Sequence, residues 1–259
     1  MALYVTFHLH NVPAGREQDY ADWFDGPHRE ALGRLRGFRS ADRYEVTPEQ
    51  IMVDIAQPWQ FCSAYDFETG DAAIDIPALG PLLAEARDKG LIAQDESERL
   101  FTYELYCDWE GSPNWQRDKP LSGISVLIGN YTAGRYDEYM DWYANVHSPE
   151  VSNVPGHVAM KRGKLAAHQV EPRTYCPGDQ LVYVAQQTDD LAFTVKDFGY
   201  RAVGMSPSGI KMQPRSKSGS FARTVHYFQK ISGTEFWPGG IAYGGDLSVY
   251  PSDYGHEQQ

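Results

Sequence analysis

The chain has 259 residues, 42% of them hydrophobic and 13% aromatic, which is enough for a substantial core and too apolar for a disordered polymer. A formal net charge of −12 excludes the clustered Lys and Arg that nucleic-acid phosphates require, and it disfavours an anionic membrane surface. Cys62, Cys107 and Cys176 are too few and too scattered for a disulfide framework or a zinc knuckle, no run of about 18 apolar residues could span a membrane, and the opening MALYVTFHLHNVPAGRE lacks the pattern of a signal peptide, so the expectation is a reduced, cytoplasmic protein.

The elements read as follows in chain order. LYVTFHLHNV alternates and predicts a strand. PAGREQDYADWF starts at a turn and places Tyr20, Trp23 and Phe24 on one helical face. GPHREALGRLRG predicts a second helical piece after a Gly-Pro break, ending at Gly37. Strands follow at FRSADRYEV and QFCSAYDFET, then a helix over GDAAIDIPALGPLLAEARDKG whose first turns Pro77 and Pro81 distort, then the strand RLFTYELYCDWE. The order βαββαβ returns in GISVLIGNY, RYDEYMDWYANVHSPEVSNV, HVAMKRGKL, QLVYVAQQ, DDLAFTVKDFGYRAV and GSFARTVHYFQK.

The return is a repeat at a spacing of 119 residues. Val5–Arg43 aligns without a gap on Ile124–Arg162, with ten of 39 positions identical, among them Tyr20/Tyr139, Trp23/Trp142, His28/His147, Gly37/Gly156 and Arg43/Arg162. The expected organisation is a first ferredoxin-like unit over 1–110, a linker over 111–120, a second unit over 121–231 and an irregular aromatic tail over 232–259. The fold class is α+β: each βαββαβ unit carries its helices on one sheet face, and the two bare faces come together as a pseudo-dimeric barrel.

The segments Trp23-x4-His28 with Gly37, and Trp142-x4-His147 with Pro155-Gly156, resemble the EthD-like branch of the dimeric α/β-barrel superfamily, over about 40 residues of each half. That resemblance implies a fused pair with a pocket between sheet and first helix. It implies a choice among lyase, isomerase, polyketide-cyclase, cofactor-free oxygenase and haem chemistries.

Strand alternation assigns the residues that could carry chemistry. Val5, Phe7 and Leu9 form one face and suit the helices, which would turn His8 and His10 into the barrel cavity. The second copy has Leu127 and Gly129 there, so only the first keeps titratable groups, and a neutral imidazole is a competent general acid or base. His8 and His10 could alternatively chelate a metal if Asp42, Asp66 or Glu104 supplied a third ligand. His28 and His147 are candidate acid–base groups at the helix breaks, and His226 is a candidate cavity residue on the last strand. Tyr44, Tyr65, Tyr103 and Tyr183 would line the barrel around an aromatic ligand. Arg43 could grip a carboxylate or close a salt bridge. There is no GxGxxG, P-loop or nucleophile elbow.

The reading is therefore a cofactor- and metal-independent lyase or isomerase for a small hydrophobic, aromatic and carboxylated molecule, with homo-oligomerisation allowed. The alternatives are a cyclase or cofactor-free monooxygenase in the same pocket, and a non-enzymatic barrel that binds a hydrophobic ligand.

Overall fold

A computed structural model of the chain describes residues 1–52, 55–112, 114–116, 119–172 and 178–233. Most of the tail, part of the linker and Cys176 lie outside these residues; Cys62 is buried and free. No described helix is long and apolar enough to cross a membrane.

Eight strands form one closed antiparallel barrel. They are β1 (Ala2–His10), β2 (Phe38–Val46), β3 (Phe61–Thr69), β4 (Arg99–Gly111), β5 (Gly123–Tyr131), β6 (His157–Leu165), β7 (Gln180–Gln186) and β8 (Gly219–Ser232). Their order around the barrel is β1-β3-β2-β8-β5-β7-β6-β4. The two halves thus join edge to edge, through β2–β8 and β4–β6. Closure leaves no strand edge unpaired, which is what two sheets laid merely face to face could not achieve.

Outside the barrel lie α1 (Glu17–Trp23), α2 (Arg29–Leu32), α3 (Ala72–Asp75) and α4 (Gly80–Asp88), then α5 (Tyr136–Trp142), α6 (Ser148–Ser152) and α7 (Leu191–Arg201). Gly26-Pro27 does not break the first helix. The chain winds continuously from α1 to α2 through a π-helical turn, Phe24–His28, and Tyr143–His147 does the same between α5 and α6. A π turn widens the hydrogen-bonding ring, so a proline fits without ending the helix. Pro77 distorts its helix as expected, separating α3 from α4 by a short 3₁₀ turn.

Strand registers recur at the same 119-residue spacing. Val5 faces Asp66 and Ile124 faces Ala185; the bulge between Phe38 and Ser40 recurs between His157 and Ala159. Gly37 and Gly156 both have positive φ, +76° and +90°, and a Cβ would come within 2.8 Å of the Glu68 carbonyl oxygen or 2.6 Å of Thr194 Oγ1. Only glycine meets both demands, which accounts for its place in both copies.

Val5, Phe7 and Leu9 point into the barrel, where they pack with Tyr44, Tyr103, Val126, Ile128, Tyr183 and Phe228. An eight-stranded barrel is just wide enough for side chains to fill it, so the apolar set goes inside. Among the described residues, a space beside His226 measures about 20 Å³, room for roughly one water molecule.

His157 is buried against Phe198, and desolvation pushes its imidazole down to about 4; burial, reinforced by His8 and Arg29, holds His28 down to about 3. Both folded values lie below the unfolded ~6.5, so under that pH the unfolded chain binds more protons. Stability is therefore full above about pH 6.5 and falls as the pH drops toward 4, with His157 alone contributing about 3 kcal/mol over that window. Urea midpoints at pH 7.5, 6 and 5 should decline in that order, and His157→Gln should flatten the decline; equal midpoints would contradict the assignment.

A candidate acid–base site beneath the first helix

The other face of β1 points at the helices. Thr6, His8 and His10 are fully buried there, with Ser63 and Tyr65 of β3 beside them and Tyr20, Trp23, Phe24 and Phe61 as aromatic walls. This corrects the expected orientation: His8 and His10 face the helix layer, because the apolar face of β1 is needed to fill the barrel. Tyr65 likewise belongs to the helix side, whereas Tyr44, Tyr103 and Tyr183 are barrel core. Asp42 and Asp66 lie near the inward-facing Lys230 and Lys161, and Glu104 near Lys164, so none joins the two histidines as a third ligand. Among the described residues no three His, Cys, Asp or Glu side chains converge as a metal site.

The His8 and His10 rings stack at 4.4 Å. His8 Nε2 is 2.7 Å from Glu98 Oε1, on the approach to β4, and the same oxygen accepts from Arg87 Nε and Nη2 at 3.0 and 2.7 Å. Glu98 is desolvated, yet these donors hold its carboxyl below the usual range, so it stays an anion. His8 Nε2–H therefore donates to Glu98, and Nδ1, buried without a partner, is the lone-pair nitrogen whenever the ring is neutral. His10 donates Nδ1–H to the His8 carbonyl at 3.1 Å, which leaves a buried, unpartnered Nε2. Burial first, then His8, pushes the His10 imidazole well below 6.5, so that nitrogen is bare at neutral pH.

His28 stacks on Trp23 at 4.1 Å, shares a hydrogen bond with the Tyr65 hydroxyl at 3.2 Å, and keeps Nδ1 unpartnered. Three imidazoles thus each present an orphaned nitrogen within one aromatic compartment. Buried polar atoms are normally paired, so three orphans together single out this compartment as the candidate site. His8 alone has an anion against its ring. It can take up a proton as an imidazolium, while burial keeps His10 and His28 neutral as hydrogen-bonding groups. The Tyr20 and Tyr65 hydroxyls are driven upward by burial and remain protonated donors.

The remaining predicted residues fall elsewhere. Arg43 points to the helix layer, 3.0 Å from Asp25 and over the Tyr20 and Phe24 rings, so its guanidinium is held in an ion pair. His147 is half-buried, stacked on Trp142 at 4.5 Å, with Glu150 3.7 Å from Nδ1. His226 stands at the end of the barrel, edge-on to Trp59 and bonded to Gln57. In the second half the counterparts of His8, Ser63 and Tyr65 are Leu127, Val182 and Val184, packed as an apolar layer with Met212. Outside that layer a groove of about 420 Å³ runs between Trp142 and Met212. Sequence reasoning missed Glu98 and Arg87, since ESERLF shows no periodicity tying Glu98 to a strand 90 positions away.

No family model matches the chain, and no curated protein does. Solved structures resemble it throughout. An anthrone oxidase-like protein has a TM-score of 0.53 at 11% identity over 90% of this chain and 92% of its own. A presumptive monooxygenase from Lactobacillus acidophilus has 0.52 at 9% over 91% and 97%, and a presumptive chlorite dismutase 0.50 at 13% over 90% and 96%. At such identities the likeness is one of fold alone.

Proposed function

We propose that this chain is a cofactor-independent enzyme that abstracts a proton from a small aromatic substrate, with His8 as general base and Glu98 as its orienting carboxylate. The observation that carries the reading is the orphaned His8 Nδ1, in a ring fixed by Glu98 and set among aromatic walls. The Tyr65–His28 pair would hold the oxygen that gains negative charge through the one proton their shared hydrogen bond leaves free, as a preorganised donor in a dry site does. The carbanion or phenolate is then reprotonated elsewhere or loses a carbon–carbon bond, which is lyase or isomerase chemistry.

A second reading is favoured by the fold neighbours named for monooxygenase and anthrone oxidase activity. Dioxygen adds to the carbanion, and the hydroperoxide loses water, turning CH₂ into C=O with no external reductant. We further propose that the halves are fused ferredoxin-like units of the EthD-like kind, of which only the first is active.

The test is a panel of anthrones and hydroxylated aromatic acids followed by absorbance, under air and under nitrogen, with wild type and His8→Ala. Turnover in air alone selects the oxygenase; equal turnover in both gases selects the lyase or isomerase. Turnover that survives His8→Ala unchanged would sink both.

A further inference from the structure

Each half sends the connection between its second and third strands across to the other. In the first half Gln50 donates to the Tyr227 carbonyl and accepts from the Tyr227 amide, both at 2.9 Å, and Ile51 lies against Gly199 of α7. In the second half Gln169 makes the same two bonds to Thr102, at 2.9 and 2.8 Å, and Val170 lies against Gly80 of α4. Gln50/Gln169, Ile51/Val170 and Gly80/Gly199 are all pairs 119 residues apart. The clasps are therefore equivalent as far as their third residue, where Met52 stands in one and Glu171 in the other. Met52 packs against an apolar cluster. Glu171 instead places both carboxylate oxygens on Arg87, 2.6 Å from Nη1 and 3.3 Å from Nη2.

We propose that Glu171, delivered by the second half, is a positioning residue for the first-half site: through Arg87 it fixes the Glu98 carboxylate that orients His8. The inference rests on the proton-abstraction reading above and adds that the site is composite. Arg87 lies between two carboxylates. With Glu171 present the Arg87 charge is shared, so it offsets less of the Glu98 charge that stabilises a protonated His8. Among the described residues the clasps differ at this point, Glu171 meeting the Arg87–Glu98–His8 network while Met52 meets an apolar cluster, which points to Glu171 acting on the site beyond joining the halves. His8 is faced by His10 on its own strand, His28 from the π turn, Glu98 from the approach to β4 and Arg87 from α4.

The test follows each ring by NMR in the full-length protein with labelled histidine, His8 being assigned by the signal lost in His8→Ala. In Glu171→Gln the His8 titration should move down by about 0.5 unit, because an unshared Arg87 disfavours the imidazolium. Glu98→Gln should move it down further, and Arg87→Met should move it up. Glu171→Met, which copies the other clasp, should repeat the Glu171→Gln shift and serves if that variant folds poorly. A His8 titration that responds to Glu98→Gln and ignores both Glu171 variants overturns the proposal and leaves the His8–Glu98 pair standing. A titration indifferent to Glu98→Gln as well overturns the pair itself.

Discussion

His8→Ala is expected to lower kcat/KM by about 10²–10⁴-fold on whichever aromatic substrate the panel identifies, the range typical of a lost general base. Glu98 leaves His8 one free nitrogen and stabilises the positive charge that proton uptake creates. His10 and His28 lack any such anion and are held neutral by burial, so neither can replace it. Glu98→Gln should give a smaller loss, since an amide can still position the ring while no longer balancing its charge. Far-UV circular dichroism separates these effects from misfolding, and a folded His8→Ala protein with wild-type kcat/KM would end the assignment.

Arg201→Met is expected to cost about 3–5 kcal/mol, the largest stability loss foreseen for a single side chain. Arg201 and Asp197 are buried, at 1% and 0% exposure, and paired at 2.7 Å within α7. The guanidinium also donates to the carbonyls of Glu150 and Asn153, at 3.3 and 3.0 Å, which fastens the end of α6. Methionine would leave the Asp197 carboxylate with only its Ser208 contacts and no counter-charge, and would remove the guanidinium from the two carbonyls. At this chain length the thermal midpoint should drop by roughly 10 °C. Replacing both members, Arg201→Met with Asp197→Leu, should recover part of the loss, because the uncompensated charge is then gone. A loss under about 1 kcal/mol in the single variant would show the pair to be dispensable.

Strand and helix positions were legible because their signals are local: alternation in TFHLH, helical spacing in Tyr20, Trp23 and Phe24, and the duplicated glycines. The edges of the two sheets were not legible, since β2–β8 and β4–β6 pairing depends on surfaces that meet only after each half has folded. That determined the error over His8 and His10. Alternation separates the two faces of β1 and is silent on which one the closed barrel will enclose. Tyr65 was misassigned on the same ground, and the Gly-Pro step read as a break became a π turn.

The sequence by itself determined that the chain repeats at 119 residues and that its halves disagree at His8 and His10. Both are properties of residue order, open to comparison of the chain with itself. Only the tertiary structure decided that those imidazoles lie beneath the first helix, that Glu98 and Arg87 complete them, and that Glu171 reaches over from the other half. The bonded pairs among Glu98, Arg87, Glu171 and His8 are separated by 11 to 90 positions along the chain, and the hydrogen bonds follow from where closure of the barrel carries each segment.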